Sequence, residues 1–172
     1  MFVDQLTTSV KSIANNAAAD DFVHIYVLYK HLPENVPAML NSMQKENVKI
    51  TSARFNDEDM AFMQQFTKNA ANSAVRTWSG IVFARLWIPM YLKSLDRCIY
   101  LDSDTLVRGS LRELWQVDLH GKAYGMAMGC VPEYGYNSGV IVMDCRKVDN
   151  EENWKSLFEH MQQFAATYML PD

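Results

Sequence analysis

The sequence predicts an α/β domain built on a mostly parallel sheet flanked by helices, occupying residues 1–172 as one folding unit. Three observations predict it. Short β-branched and aromatic runs alternate with segments of helical periodicity, no repeat or Pro/Gly/Ser-rich linker divides them, and 49% apolar residues supply one sizeable core.

Phe2, Val3, Leu6, Val10 and Ile13 recur at roughly helical spacing, so the chain opens on an amphipathic helix. Phe22 to Tyr29 is short, β-branched and aromatic, and reads as a buried strand. A helix with Val36, Met39, Leu40 and Met43 on one stripe follows it. A second strand from Val48 to Phe55 precedes Asn56-Asp57-Glu58-Asp59, a helix start whose carboxylates suit the helix dipole. Ser79 to Lys93 is apolar nearly all round, which predicts a sandwiched helix bent or broken at Pro89. Arg97 to Leu101 is the next strand, and Ser110 and Glu113 then stand at capping-box spacing. Strands near Tyr124 to Met128 and Gly139 to Met143 come next. The closing helix has Trp154, Leu157, Phe158, Met161, Phe164 and Tyr168 on one face.

Composition removes several function classes. A net charge of -4 argues against nucleic acid and anionic membrane as partners, since both select basic surfaces. Cys98, Cys130 and Cys145 are odd in number and widely spaced, unlike a disulfide framework or zinc site, so reduced thiols are expected. There is no leader sequence and no run of 18 apolar residues, so neither a signal peptide nor a membrane span is expected. The expected location is the cytoplasm, with any membrane association of the parent protein peripheral. G-x-S-x-G, P-loop and G-x-G-x-x-G patterns are absent.

Ligands of parallel sheets sit beyond the carboxyl ends of the strands, and the apolar run Arg97 to Leu101 delivers Asp102-Ser103-Asp104 there. In extended backbone both aspartates point to one side and can converge on a hard cation, which would also relieve their mutual repulsion. A turn after the strand is an equally good reading of the tripeptide alone. Arg85, among Phe83, Ala84, Leu86 and Trp87, needs a carboxylate or phosphate acceptor unless it snorkels to the surface. Asn137 lies at the entrance of the last strand with donor and acceptor capacity for hydroxyl groups; a plain turn serves equally for Tyr136 to Gly139. His24, His31, His120 and His160 lack ligand spacing and read as structural or solvated.

Together these pieces resemble glycosyltransferase family 8, the retaining glucosyl- and galactosyltransferases of the glycogenin and bacterial lipopolysaccharide transferase type. The resemblance runs from the opening helix with Gln5 and Ser12, through Ala84-Arg85-Leu86 and Arg97 to Val107, to Tyr136-Asn137-Ser138-Gly139-Val140 and Leu170-Pro171-Asp172. It implies a GT-A-type, Rossmann-like fold. It also implies that Asp102 and Asp104 hold Mn2+ or Mg2+ against the diphosphate of a UDP-sugar, UDP-glucose or UDP-galactose, with Ser103 between them in the donor site. Arg85 and Asn137 would contact the donor side, and Asp172 would lie against the donor sugar. The acceptor would be a glycan or a lipid-linked glycan. A metal acting as Lewis acid on the departing diphosphate suits a front-face transfer that needs no strongly basic side chain.

Two departures from the family pattern stand out. The family's first strand and its later C-terminal part, with a metal-binding histidine, have no counterpart in these 172 residues. An incomplete domain of this kind is expected to expose a sheet edge, to lose stability or self-associate, and to bind donor weakly with little or no turnover. Competing readings are an inactive or scaffold module and a haloacid-dehalogenase-type phosphatase. Asp102-Ser103-Asp104-Thr105 suits the phosphatase, but its position after about a hundred residues and the lack of a later G-D-x-x-x-D segment do not.

Overall fold

In the computed structural model, the described residues are 2–69, 75–77, 79–129, 135–148, 156, 159 and 160. They belong to two compact units, one formed by residues 1–55 and 101–117 and the other by 56–100 and 118–172. The predicted closing helix, with Trp154, Leu157, Phe158, Met161, Phe164 and Tyr168, lies outside the described residues, as do Cys130 and Asp172.

The first unit begins with α1 (Phe2–Asn16), followed by β1 (Val23–Tyr29), α2 (Val36–Asn41) and β2 (Val48–Arg54). The two strands pair in parallel, from Val23 opposite Val48 to Tyr29 opposite Arg54. Alternation sends Ile25, Val27, Val48 and Ile50 into a core shared with Val10, Ile13 and Ala14 of α1 and Val36 and Leu40 of α2. Removing each large aliphatic side chain from water stabilises the unit by about 1.5–3 kcal/mol.

Two expectations change here. β1 is buried on one face only, and Phe22 falls before it with 71% of its surface exposed. On the predicted stripe Val36 and Leu40 are buried and Met43, just past the end of α2, packs against the same core, but Met39 faces outward with 37% of its surface exposed.

The other face of β1 carries a polar contact between the strands. His24 stacks on Tyr26 with ring centroids 4.0 Å apart, and its Nε2 lies 2.9 Å from the Thr51 hydroxyl. Desolvation, helped by the Lys49 charge, holds His24 below the ordinary imidazole value. The carbonyl end of α1, which has no basic residue in its last turn, receives Lys45 from a distance: Nζ donates to the Ala14 carbonyl at 2.8 Å.

The second unit begins with α3 (Asp57–Asn69), capped as the acidic start predicts by Asn56, whose Oδ1 accepts the Asp59 N–H at 2.7 Å. The apolar stretch predicted as one helix is a 3₁₀ turn, Gly80–Phe83, followed by α4 (Ala84–Tyr91). Pro89 lies inside α4, and the change of helix type comes earlier, at Phe83 to Ala84. The cause is contact with α3: a Cβ on Gly80 would meet the Gln64 backbone nitrogen at 2.5 Å, and the Gly80 N–H donates to Gln64 Oε1. Phe62, Phe66, Phe83 and Trp87 interlock edge to face across this contact, with centroids 5.3–5.9 Å apart. Tyr91 ties the far end, since its hydroxyl accepts the Asn56 N–H and donates to Asp59.

The chain continues through β3 (Arg97–Leu101), α5 (Arg112–Trp115), β4 (Tyr124–Met128), β5 (Tyr136–Asp144) and α6 (Cys145–Val148). The strand order of this sheet is β3-β5-β4, with β4 and β5 antiparallel. Among the described residues the strands pair as the parallel β1-β2 sheet and this three-stranded one, within an α/β arrangement. Among the described residues no helix is long and apolar enough to cross a membrane.

Two measurements check these contacts. Gly80→Ala should lower stability by about 1–3 kcal/mol in chemical denaturation, because the methyl group meets helix backbone that cannot step aside. His24 takes up a proton less readily folded than unfolded, so its contribution is fully present above its ordinary pKa of 6.5 and is lost as pH falls through the depressed folded value. The fall in Tm between pH 7 and pH 5 should accordingly be smaller in His24→Gln than in wild type.

Candidate functional site

Leu101 ends β3, and the chain turns at once: Ser103 and Asp104 form a turn in which the Thr105 N–H donates to the Asp102 carbonyl at 3.0 Å. The extended backbone expected to align the two aspartates is therefore replaced by a turn. Both carboxylates still project from one short stretch, Asp102 half-buried and Asp104 exposed with Ser103. Their oxygens are hard donors. Among the described residues no group of three or more His, Cys, Asp or Glu side chains assembles, so this turn offers two carboxylates and no all-protein cage.

The segment after the turn is held by side chains. Val107 donates its N–H to Ser12 Oγ at 2.9 Å and accepts at its carbonyl from Asn16 Nδ2 at 3.1 Å, both from α1. Further along, Asp21 accepts from the Ser110 hydroxyl and from the Arg112 guanidinium, which also reaches Asp20 at 2.7 Å. The Arg112 hydrogen bond holds the Asp20 carboxyl below its usual range. The capping box predicted from Ser110 and Glu113 is not formed. α5 starts at Arg112, so the Ser110 hydroxyl accepts the Arg112 N–H instead.

Arg85 and the Tyr136 to Gly139 segment come together in the second unit. Arg85 is buried, and its Nη1 donates to the Ser138 carbonyl at 2.8 Å and to the Ser138 hydroxyl. Its guanidinium carbon lies 5.2 Å from the Tyr100 ring centroid. The alternative of snorkelling to the surface is thus not seen, and the acceptors found include the carbonyl and hydroxyl of Ser138 on β5, where a carboxylate or phosphate was expected. The register explains how Ser138 reaches it. Met126 and Ala127 are consecutive on β4, but their partners Ile141 and Asn137 are separated by Ser138, Gly139 and Val140, a bulge that re-aims Ser138 inward. Asn137 stabilises the departure by accepting the Gly139 N–H at its Oδ1, 3.0 Å away, while remaining exposed.

Reactive groups elsewhere in this unit are tuned away from neutrality. Cys98 and Cys145 are free thiols with sulfurs 3.6 Å apart. The hydrogen bond from Cys145, with burial, pushes the Cys98 thiol up, and burial with the two nearby cysteines pushes Tyr124 up to about 12. Neither offers a nucleophile or base near neutral pH.

Ser12 and Ser138 lie in segments that carry the family resemblance, but their bonding roles emerge only in three dimensions, and Asn16 is not among the residues that carry that resemblance. A signal was available: Ser9, Ser12 and Asn16 recur at helical intervals beside the buried Val10 and Ile13, polar groups on a face that should be apolar. Arg85→Ala should cost about 1.5–3 kcal/mol of stability in denaturant unfolding and deprotect the Tyr136 to Gly139 amides in hydrogen exchange, since it removes charged donors from buried acceptors.

Comparison with known proteins gives the family and the fold of the chain. The sequence model of the family described as Glycosyl transferase family 8 matches residues 1–170. Glycosyltransferase GlyB of Streptococcus pneumoniae is 28% identical over 96% of this chain, and the chain spans 39% of its length. The crystal structure of the galactosyltransferase LgtC with donor and acceptor sugar analogs superposes over 97% of this chain and 63% of its own, with a TM-score of 0.70 and 23% identity. Mouse xyloside xylosyltransferase 1 superposes over 95% of this chain and 69% of its own, with a TM-score of 0.72 and 16% identity. These likenesses give the fold as α/β of the GT-A type. With the family model matching residues 1–170, the chain belongs to glycosyl transferase family 8.

Proposed function

We propose that this chain carries the donor side of a retaining, metal-dependent glycosyltransferase that moves a hexose, glucose or galactose, from a UDP-sugar to a glycan or lipid-linked glycan. The observation that carries this reading is the Asp102-Ser103-Asp104 turn at the end of β3 in a chain of this family. Two carboxylates on one turn suit Mn2+ or Mg2+, which are commonly bound by one or two carboxylates with substrate phosphates completing the shell. When bound, the ion would stabilise the charge of the departing diphosphate.

Asp102 and Asp104 hold the ion in this reading, and the Ser103 hydroxyl adds a hydrogen-bonding group beside them. Exposed Asn137 presents its amide NH2 as a donor for sugar hydroxyl or phosphate oxygens, because its Oδ1 is occupied by the Gly139 N–H. Arg85, turned toward Ser138, contributes by holding the Asn137 segment in place. Asp172 keeps the place against the donor sugar that family resemblance gives it. Because a metal-assisted departing diphosphate needs no strongly basic side chain, front-face transfer assisted by the leaving phosphate is the mechanism in this reading. The galactosyltransferase among the similar structures supports the hexose; the xylosyltransferase marks how donor choice diverges within one fold.

Thermal unfolding with UDP, with Mn2+, and with both tests the proposal. Ligand at a hundred times its Kd stabilises the folded state by about 2.7 kcal/mol, which corresponds to roughly 5–10 °C in Tm for a chain of this size. The shift should require both ligands together and disappear in an Asp102→Asn/Asp104→Asn double variant. Equal shifts in wild type and double variant would place donor binding elsewhere.

A further inference from the structure

We propose that Ser12 and Asn16 of α1 are positioning residues for the acidic turn, acting through the backbone of Val107. This rests on the donor-site reading of Asp102 and Asp104. Both polar groups of the Val107 peptide frame are taken by α1: its N–H by Ser12 Oγ at 2.9 Å and its carbonyl by Asn16 Nδ2 at 3.1 Å. The two side chains are themselves fixed. Ser12 donates to the Ser9 carbonyl at 2.7 Å, and Asn16 donates to the Ser12 carbonyl at 2.9 Å. Helix, hydroxyl, amide and loop thus form one connected network, and Ser12 is buried with 9% of its surface exposed.

The position of this clamp in the chain gives it its effect. Val107 enters the core with Val10 and Ile13, and Leu101 packs against the same core on the other side of the turn. Between these anchors the Asp102 to Thr105 hydrogen bond closes the chain on itself. Two anchors so close in sequence leave the intervening backbone few conformations, so the carboxylates are presented in one arrangement before any ligand arrives. Apolar burial of Val107 alone resists removal of the side chain from the core but tolerates rotation and sliding of the backbone. The two directional bonds remove that freedom. Outer partners that orient metal ligands in this way typically change affinity by 10–100-fold when lost.

The test measures Mn2+ affinity in the presence of UDP by electron paramagnetic resonance of the free ion, on the full chain and below the Tm of each variant. Ser12→Ala and Asn16→Ala should bind about 10-fold more weakly than wild type. Lys45→Met is the control: it removes a bond to the end of α1 without touching Val107, so it should lower Tm and leave Mn2+ affinity unchanged. Unchanged affinity in folded Ser12→Ala and Asn16→Ala overturns the inference, as does an equal loss in Lys45→Met. Where Ser12→Ala does not fold, Asn16→Ala, which truncates a half-buried side chain, decides. Absence of UDP-dependent Mn2+ binding in the wild-type chain overturns the donor-site reading and this inference with it, an outcome visible before any variant is made.

Discussion

The stretch from Asp102 to Val107 leaves β3 and joins neither strand nor helix, so its backbone polar groups must find partners outside any regular ladder. The anchoring of Val107 on α1 meets that requirement with an O–H acceptor and an amide donor placed one helical turn apart. Asp21 repeats the device a few residues on, gripping Ser110 and Arg112. Apolar contact brings this segment to the core, and polar contact fixes its register there. The carboxylates of Asp102 and Asp104 inherit their placement from groups far away in sequence.

A second break in regularity occurs within β5. The ladder with β4 loses register between Met126 and Ala127, and the residues that fall out of it bring Ser138 to the buried Arg85. A guanidinium among aromatic side chains has no tolerable alternative to finding acceptors, and a regular strand would have left Ser138 unavailable. Departures from ideal ladders are expected where a protein places functional groups. The acidic turn after β3 and the Asn137 segment both lie at such departures.

Membership of family 8 and the GT-A fold supply the chemical setting in which these placements make sense. The chain spans 39% of the length of GlyB. The phosphatase reading of Asp102-Ser103-Asp104-Thr105 gives way to that family assignment.

Much of the fold was legible because its signals are local. The strands at Val48, Arg97 and Tyr124 and the acidic start of α3 follow from side-chain period and capping chemistry, which act within a few residues. Misreadings arose where distant contacts overrode those preferences. Gly80 lies so close to α3 that a Cβ there would meet the Gln64 backbone, and the apolar stretch opens as a 3₁₀ turn before α4.

The same division holds for the candidate site. The sequence by itself determined which residues carry charge at the strand end, which arginine sits among apolar neighbours, and the family that their order resembles. Only the tertiary structure decided that Asp102 and Asp104 stand on a turn, that Arg85 meets Ser138, and that Ser12 and Asn16 hold Val107. The physical reason is that composition and periodicity report on what a segment prefers alone. A directional hydrogen bond between residues such as Asn16 and Val107 exists only once the chain has brought them together.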